Sequence, residues 1–329
     1  APSSPDSEEI TIQASETPWE TPRDLAVLGA LRDEEPREAL RSVAFDLARS
    51  GQGEAAWEIL QYFQKDHSAY QNAGIELVEN GEKEFALKCL KHAVKLIQYD
   101  ESESPYEKQL TDIAVAFADA GELEEAKETL NLALELAEAA AEKNSETFDS
   151  YERGVVAAKW ARIGEIDHAL GMVQQLEKAE DKVFMLDQIG SEFLEVGDKV
   201  QASKFFLQAV EIANTIKDVE ARDARLARLS ICLFNVDDLE KSLSLTEQSV
   251  DPMIIPQKLK DIALKQYENG EREQATATLR RAAKKAEEIH DAPYRHSEIS
   301  EIIIAMGRIG DIEFAKDLAE KHKDYFGTE

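Results

Sequence analysis

Eight times along this chain a turn residue is followed five residues later by a small one. The turn residues are Gly51, Gly81, Gly121, Gly164, Gly197, Asp237, Gly270 and Gly310. Their partners are Ala56, Ala86, Ala126, Ala169, Ala202, Ser242, Ala275 and Ala315. Seven residues before each turn stand Ala44, Gly74, Ala114, Ala157, Gly190, Ser230, Ala263 and Ile303. The turns are 30, 40, 43, 33, 40, 33 and 40 residues apart. A period in this range builds stacked helix pairs whose small residues meet, so the chain reads as all-α, an α-solenoid of about eight antiparallel pairs.

The spacing predicts paired helices at 36–49 and 53–65, 67–79 and 83–98, 105–119 and 123–142, 147–162 and 166–178. Four more pairs follow at 181–195 and 199–216, 220–235 and 239–249, 255–269 and 272–289, 294–308 and 312–325. Each Gly ends a first helix in a left-handed conformation, which Asp237 tolerates better than most residues. An acid follows seven of the eight turns, where it caps or complements the positive end of the next helix. Residues 1–23, rich in Ser, Thr, Pro and Glu, read as a flexible arm with Trp19 docking on the first helix. A short capping helix is expected over Asp24–Arg32, so that 24–329 forms one array.

The pattern resembles the tetratricopeptide repeat family. Eight before the turns are Val43, Ala73, Ile113, Val156, Ile189, Leu229, Ile262 and Ile302. Four before stand Leu47, Leu77, Phe117, Trp160, Phe193, Leu233 and Met306. Nine after come Leu60, Leu90, Leu130, Val173, Phe206 and Leu279, and twelve after come Ala93, Ala133, Ala209 and Ala282. The likeness covers about residues 36–325. Units of 40–43 residues and the missing Pro near the end of the second helix depart from the family pattern. The resemblance implies a right-handed superhelix whose first helices line a concave, partner-holding face.

On that face the residues six before the turns are Phe45, Ile75, Val115, Ala158, Ser191, Ile231, Leu264 and Ile304. Three before the turns come Ala48, Val78, Ala118, Ala161, Leu194 and Phe234. Phe45, Ile75, Val78, Val115, Leu194, Ile231 and Phe234 are the expected anchors, with Arg41 and Arg49 placed to steer an acidic group. No inner position is Asn, so the clamp with which some family members hold acidic chaperone tails is not carried over. Two readings stand: an apolar groove for a peptide or helix, or a closed superhelix in which these residues pack on one another.

A net charge of −29 works against phosphate neutralisation and against an anionic membrane. It favours solubility or a basic partner, while Glu also fills solvated helix faces because it forms helix well. No stretch approaches the ~18 apolar residues a membrane span needs. Cys89 and Cys232 fall inside packed helices and read as small buried hydrophobes rather than a disulfide. Six histidines are scattered, of which His290 and His296 flank a turn and could approach one another. No Gly-rich phosphate loop, His-Glu-x-x-His or Cys-x-x-Cys pattern occurs. The chain therefore reads as a non-enzymatic scaffold for a protein or peptide partner, without cofactor, metal or nucleic acid. The alternative is a sensor closing on a small ligand, and an enzyme built on the solenoid would need a converging polar site that the sequence does not display. A cytoplasmic setting fits unless Ala1 is a processed mature N-terminus.

Overall fold

The computed structural model describes residues 36–100, 106–144, 150–249 and 253–323. The expected arm and capping helix lie outside them. Among the described residues there are sixteen helices and no strand. The chain divides into two compact units, Ala1–Ala169 and Leu170–Glu329.

The first unit contains α1 (Pro36–Arg49), α2 (Gly53–Leu60), α3 (His67–Glu79), α4 (Lys83–Gln98), α5 (Glu107–Asp119), α6 (Leu123–Asn144) and α7 (Ser150–Arg162). The division falls within α8 (Ile166–Gln175). The second unit contains α9 (Ala179–Glu195), α10 (Lys199–Ala213), α11 (Val219–Asn235), α12 (Leu239–Gln248), α13 (Ile254–Glu268), α14 (Arg272–Glu287), α15 (Ala292–Ile309) and α16 (Ile312–Lys321). Within each unit, first helices pack on their second-helix partners and on the first helices of neighbouring pairs, as in α1–α3, α3–α5, α5–α7, α9–α11 and α13–α15. That is helix-pair stacking of the α-solenoid type.

Every pair closes through the same turn. The seven glycines have φ between 70° and 95°, and Asp237 has φ 68°. The amide after the turn donates five residues back, as in Glu82 to Leu77 O at 2.9 Å and Asp238 to Leu233 O at 2.9 Å. The turn residue itself donates three residues back, as in Gly81 to Val78 O at 3.0 Å. These two bonds satisfy carbonyls that the helix end would otherwise leave open. After the turn, the Asp198 and Asp238 carboxylates accept from Gln201 N–H and Lys241 N–H. Glu82, Glu271 and Asp311 make no such side-chain cap. Asp311 accepts two bonds from Arg280 instead, at 2.9 and 3.0 Å.

Large meets small at the helix crossings. A Cβ on Gly190 would lie 2.5 Å from Phe206 Cε1, and one on Gly74 would lie 2.7 Å from Leu90 Cδ2. Phe206 and Leu90 are fully buried, which stabilises the fold by about 1.5–3 kcal/mol for each such side chain. The α11–α12 crossing is built differently. Ser230, Ser242 and Thr246 replace apolar groups there, all buried. Ser230 Oγ lies 2.7 Å from Thr246 Oγ1, and Ser242 Oγ donates to Ser230 O at 2.8 Å. At the α13–α14 crossing the buried Gln266 accepts from Thr278 Oγ1 at 2.9 Å.

Several second helices stop short of their expected ends. α2 ends at Leu60, α8 at Gln175, α10 at Ala213 and α14 at Glu287. The chain tightens there into bonds three residues back, such as Phe63 N–H to Leu60 O, Ile216 N–H to Ala213 O and Ile289 N–H to Ala286 O. Each such turn swings an apolar residue inward: Phe63, Ile216 and Ile289 are buried. An Asp two or three residues later then caps the next pair. Asp66, Asp218 and Asp291 accept from Ala69, Ala221 and Tyr294 N–H.

Candidate partner-binding face

The apolar row lies on first helices of both units, and each of the seven expected anchors is partly exposed. Phe45, Ile75, Val78 and Val115 in the first unit, and Leu194, Ile231 and Phe234 in the second, are all half-buried. Their small neighbours Ala48, Ala158 and Ala161 are buried, while Ile304 is 51% exposed. The repeat-marking alanines Ala86, Ala126, Ala202 and Ala275 are fully buried.

The basic residues beside the row are engaged in cross-helix ion pairs. Arg41 pairs with Asp66, and Arg49 Nε reaches Glu76 Oε1 at 3.0 Å, tying α1 to α3. Arg162 approaches Asp119 at 3.6 Å, tying α7 to α5. Arg41 and Arg49 therefore carry carboxylate partners within the chain, and a ligand would have to compete for them. In the second unit Arg228 Nε holds Asp187 Oδ2 at 3.1 Å, and Cys232 Sγ donates to Asp187 Oδ1 at 3.1 Å. Burial pushes the Cys232 thiol up, as it does Cys89, raised to about 12. Neither buried, free cysteine is thus a thiolate nucleophile near neutral pH. Lys265 lies 4.4 Å over the Phe234 ring, donates to Phe234 O at 2.7 Å and pairs with Asp237 at 2.5 Å.

A cavity of about 210 Å³ opens between α11 and α13. Ile231, Phe234 and Ile262 give it apolar walls, and Asn235, Lys258 and Asp261 give it polar ones. The Ser230–Ser242 pair also lines it. Asp261 and, from α15, Glu298 are both pushed above the usual carboxylate range by burial. Turn offsets alone pointed to Ile231 and Phe234. Continuing back along the same face, by three residues from Leu264 to Asp261, would have found the acid. A larger cavity of about 320 Å³, lined by Lys91, Val94, Phe117, Glu125 and Leu132, involves α4, α5 and α6 and none of the expected anchors.

From the sequence His290 and His296 could approach one another across their turn. In the structure His296 meets the His322 ring, with centroids 6.4 Å apart, and His322 Nε2 lies 3.3 Å from Glu287 Oε1. Among the described residues no group of three or more His, Cys, Asp or Glu could hold a metal ion. Also among them, no helix is long and apolar enough to cross a membrane.

The tetratricopeptide repeat family matches residues 110–139, from within α5 into α6. Helix pairs of this kind recur through both units, so the fold is tetratricopeptide-repeat-like, and such repeats generally serve protein interaction. Among solved structures it is similar to Ton1535 from Thermococcus onnurineus, at 15% identity over 85% of this chain and 94% of that one, with a TM-score of 0.33. It is also similar to a signal transduction ATPase with numerous domains, carrying a tetratricopeptide repeat sensor, from Pyrococcus horikoshii. That likeness has 16% identity, 91% and 51% coverage and a TM-score of 0.32, so this chain spans about half of that protein. A third is pilF of Pseudomonas aeruginosa, at 12% identity over 71% and 96%, with a TM-score of 0.28. No curated protein matches the sequence.

Proposed function

We propose that this protein is a non-enzymatic scaffold that seats a segment of a protein partner on the apolar row of its first helices. One observation carries the reading: seven apolar side chains at common offsets from the turns stay half-exposed while Ala48, Ala158 and Ala161 on the same row are buried. Covering such groups gains about 25 cal/mol per Å², and a few anchors usually carry most of a binding energy. The ion pairs beside the row position the helices, which leaves apolar contact as the main attraction.

Binding of a small ligand draws on the cavity beside Ile231. At about 210 Å³ it is smaller than the roughly 300–1,000 Å³ of typical ligand sites. Its size suits a single side chain of a larger partner. The test uses a partner captured from the source cells. Ile75→Asp and Phe234→Asp are each expected to weaken its binding tenfold or more with the helical circular-dichroism signal intact. Normal binding by both variants overturns the proposal.

A further inference from the structure

We propose that the cavity between α11 and α13 is an anchor pocket for one basic side chain, Lys or Arg, of the partner segment. The inference rests on the scaffold reading and names the chemistry at one point of it. The pocket's size and its Ile231, Phe234 and Ile262 walls suit the methylene stem of a long basic residue. The carboxylate in its wall feels the charges of Lys258 and Lys260 but is bonded to neither. Asp261 makes no hydrogen bond or ion pair with any described residue.

Nearby, Glu298 is 8% exposed and its Oε2 has no hydrogen-bond partner. Three of the surrounding cations are already used. Lys260 reaches Glu301 at 3.5 Å, Lys265 reaches Asp237 at 2.5 Å, and Arg228 holds Asp187 at 3.1 Å. Lys258 shares the wall without an ion pair to Asp261, which stands three residues along the same helix. An entering cation would supply the charge-assisted bond that Asp261 lacks and offset part of its desolvation. The chain's net charge of −29 would draw basic segments at long range.

The experiment uses the full chain with isoleucine methyls labelled, observed by NMR. The probes are three pools of capped heptapeptides with arginine, norleucine or glutamate fixed at the centre and Ala, Leu, Ser or Gln elsewhere. The arginine pool is expected to move the Ile231 and Ile262 signals saturably, the norleucine pool at least fivefold more weakly, and the glutamate pool not at all. Asp261→Asn should bring the arginine pool down to the norleucine level, whereas Lys258→Met should leave it as tight or tighter. Asn keeps the shape and removes a desolvated charge, so lost binding in that variant would not reflect unfolding. Equal binding of the arginine and norleucine pools overturns the basic anchor and leaves the apolar row standing. Preference for glutamate, or equal losses in both variants, also overturns the anchor. Silence of all three pools overturns it too, while the row is judged separately by the Ile75→Asp capture assay.

Discussion

The Cβ that Gly190 lacks would meet Phe206 at 2.5 Å, deep in the α9–α10 contact. On propensity alone, Gly190→Ala would stabilise a helix interior by about 0.5–1 kcal/mol. The close approach reverses the sign: the variant is expected to lose about 1–3 kcal/mol by overpacking. Thermal unfolding that shifts upward would contradict the assigned contact. The Ser230–Thr246 pair makes a complementary case. Ser230→Ala leaves the Thr246 hydroxyl without its 2.7 Å partner, at a cost of about 1–3 kcal/mol. Adding Thr246→Val should recover much of that loss in denaturant titrations, and simple additivity of the two losses would refute the coupling. At this scale the Gly and Ala positions were legible, because small residues at fixed offsets have few other causes. The polar crossings were not. Ser230, Ser242, Thr246, Gln266 and Thr278 look like surface residues until the facing helix supplies their partners.

Helix starts and turns were readable to within a few residues, because left-handed turn residues leave a strong chemical mark. The ends of second helices were not, because their stop is made by a buried apolar residue swinging out of the helical path. Phe63, Ile216 and Ile289 continue the helical pattern in sequence yet leave it in space. The Asp that follows was the available signal. Asp218 accepts from Ala221 N–H at 2.8 Å, so Asp218→Ala is expected to cost about 1 kcal/mol. Asp218→Asn should retain most of the stability, since the amide oxygen can still cap. Chemical denaturation compares the three proteins, and equal midpoints for all of them would show that the cap contributes nothing.

Across the whole molecule, the excess of acid makes the few desolvated carboxylates matter. Glu298 lies on α15 within the field of Lys260, Glu301 and Asp261, with Tyr294 one turn away on its own helix. Burial, the largest cause, raises its folded pKa above the ordinary 4.5. The folded state then holds that proton more tightly than the unfolded chain does, so stability contributed below pH 4.5 is lost as pH rises through the raised value. Glu298→Gln is therefore expected to raise Tm at pH 7 and to change it little at pH 4. The opposite ordering would contradict the desolvated placement. Charge composition hinted at a basic partner. It could not single out Asp261 or Glu298 among 67 acids, because burial depends on which helices pack together.

Hydrogen exchange of the full chain, with and without a captured partner, tests most directly whether the first helices carry binding. The account predicts slowed exchange in α3 around Ile75 and in α11 around Ile231 and Phe234, with α4, α6, α10 and α14 unchanged. Protection confined to those second helices, with the first helices unaffected, would contradict it.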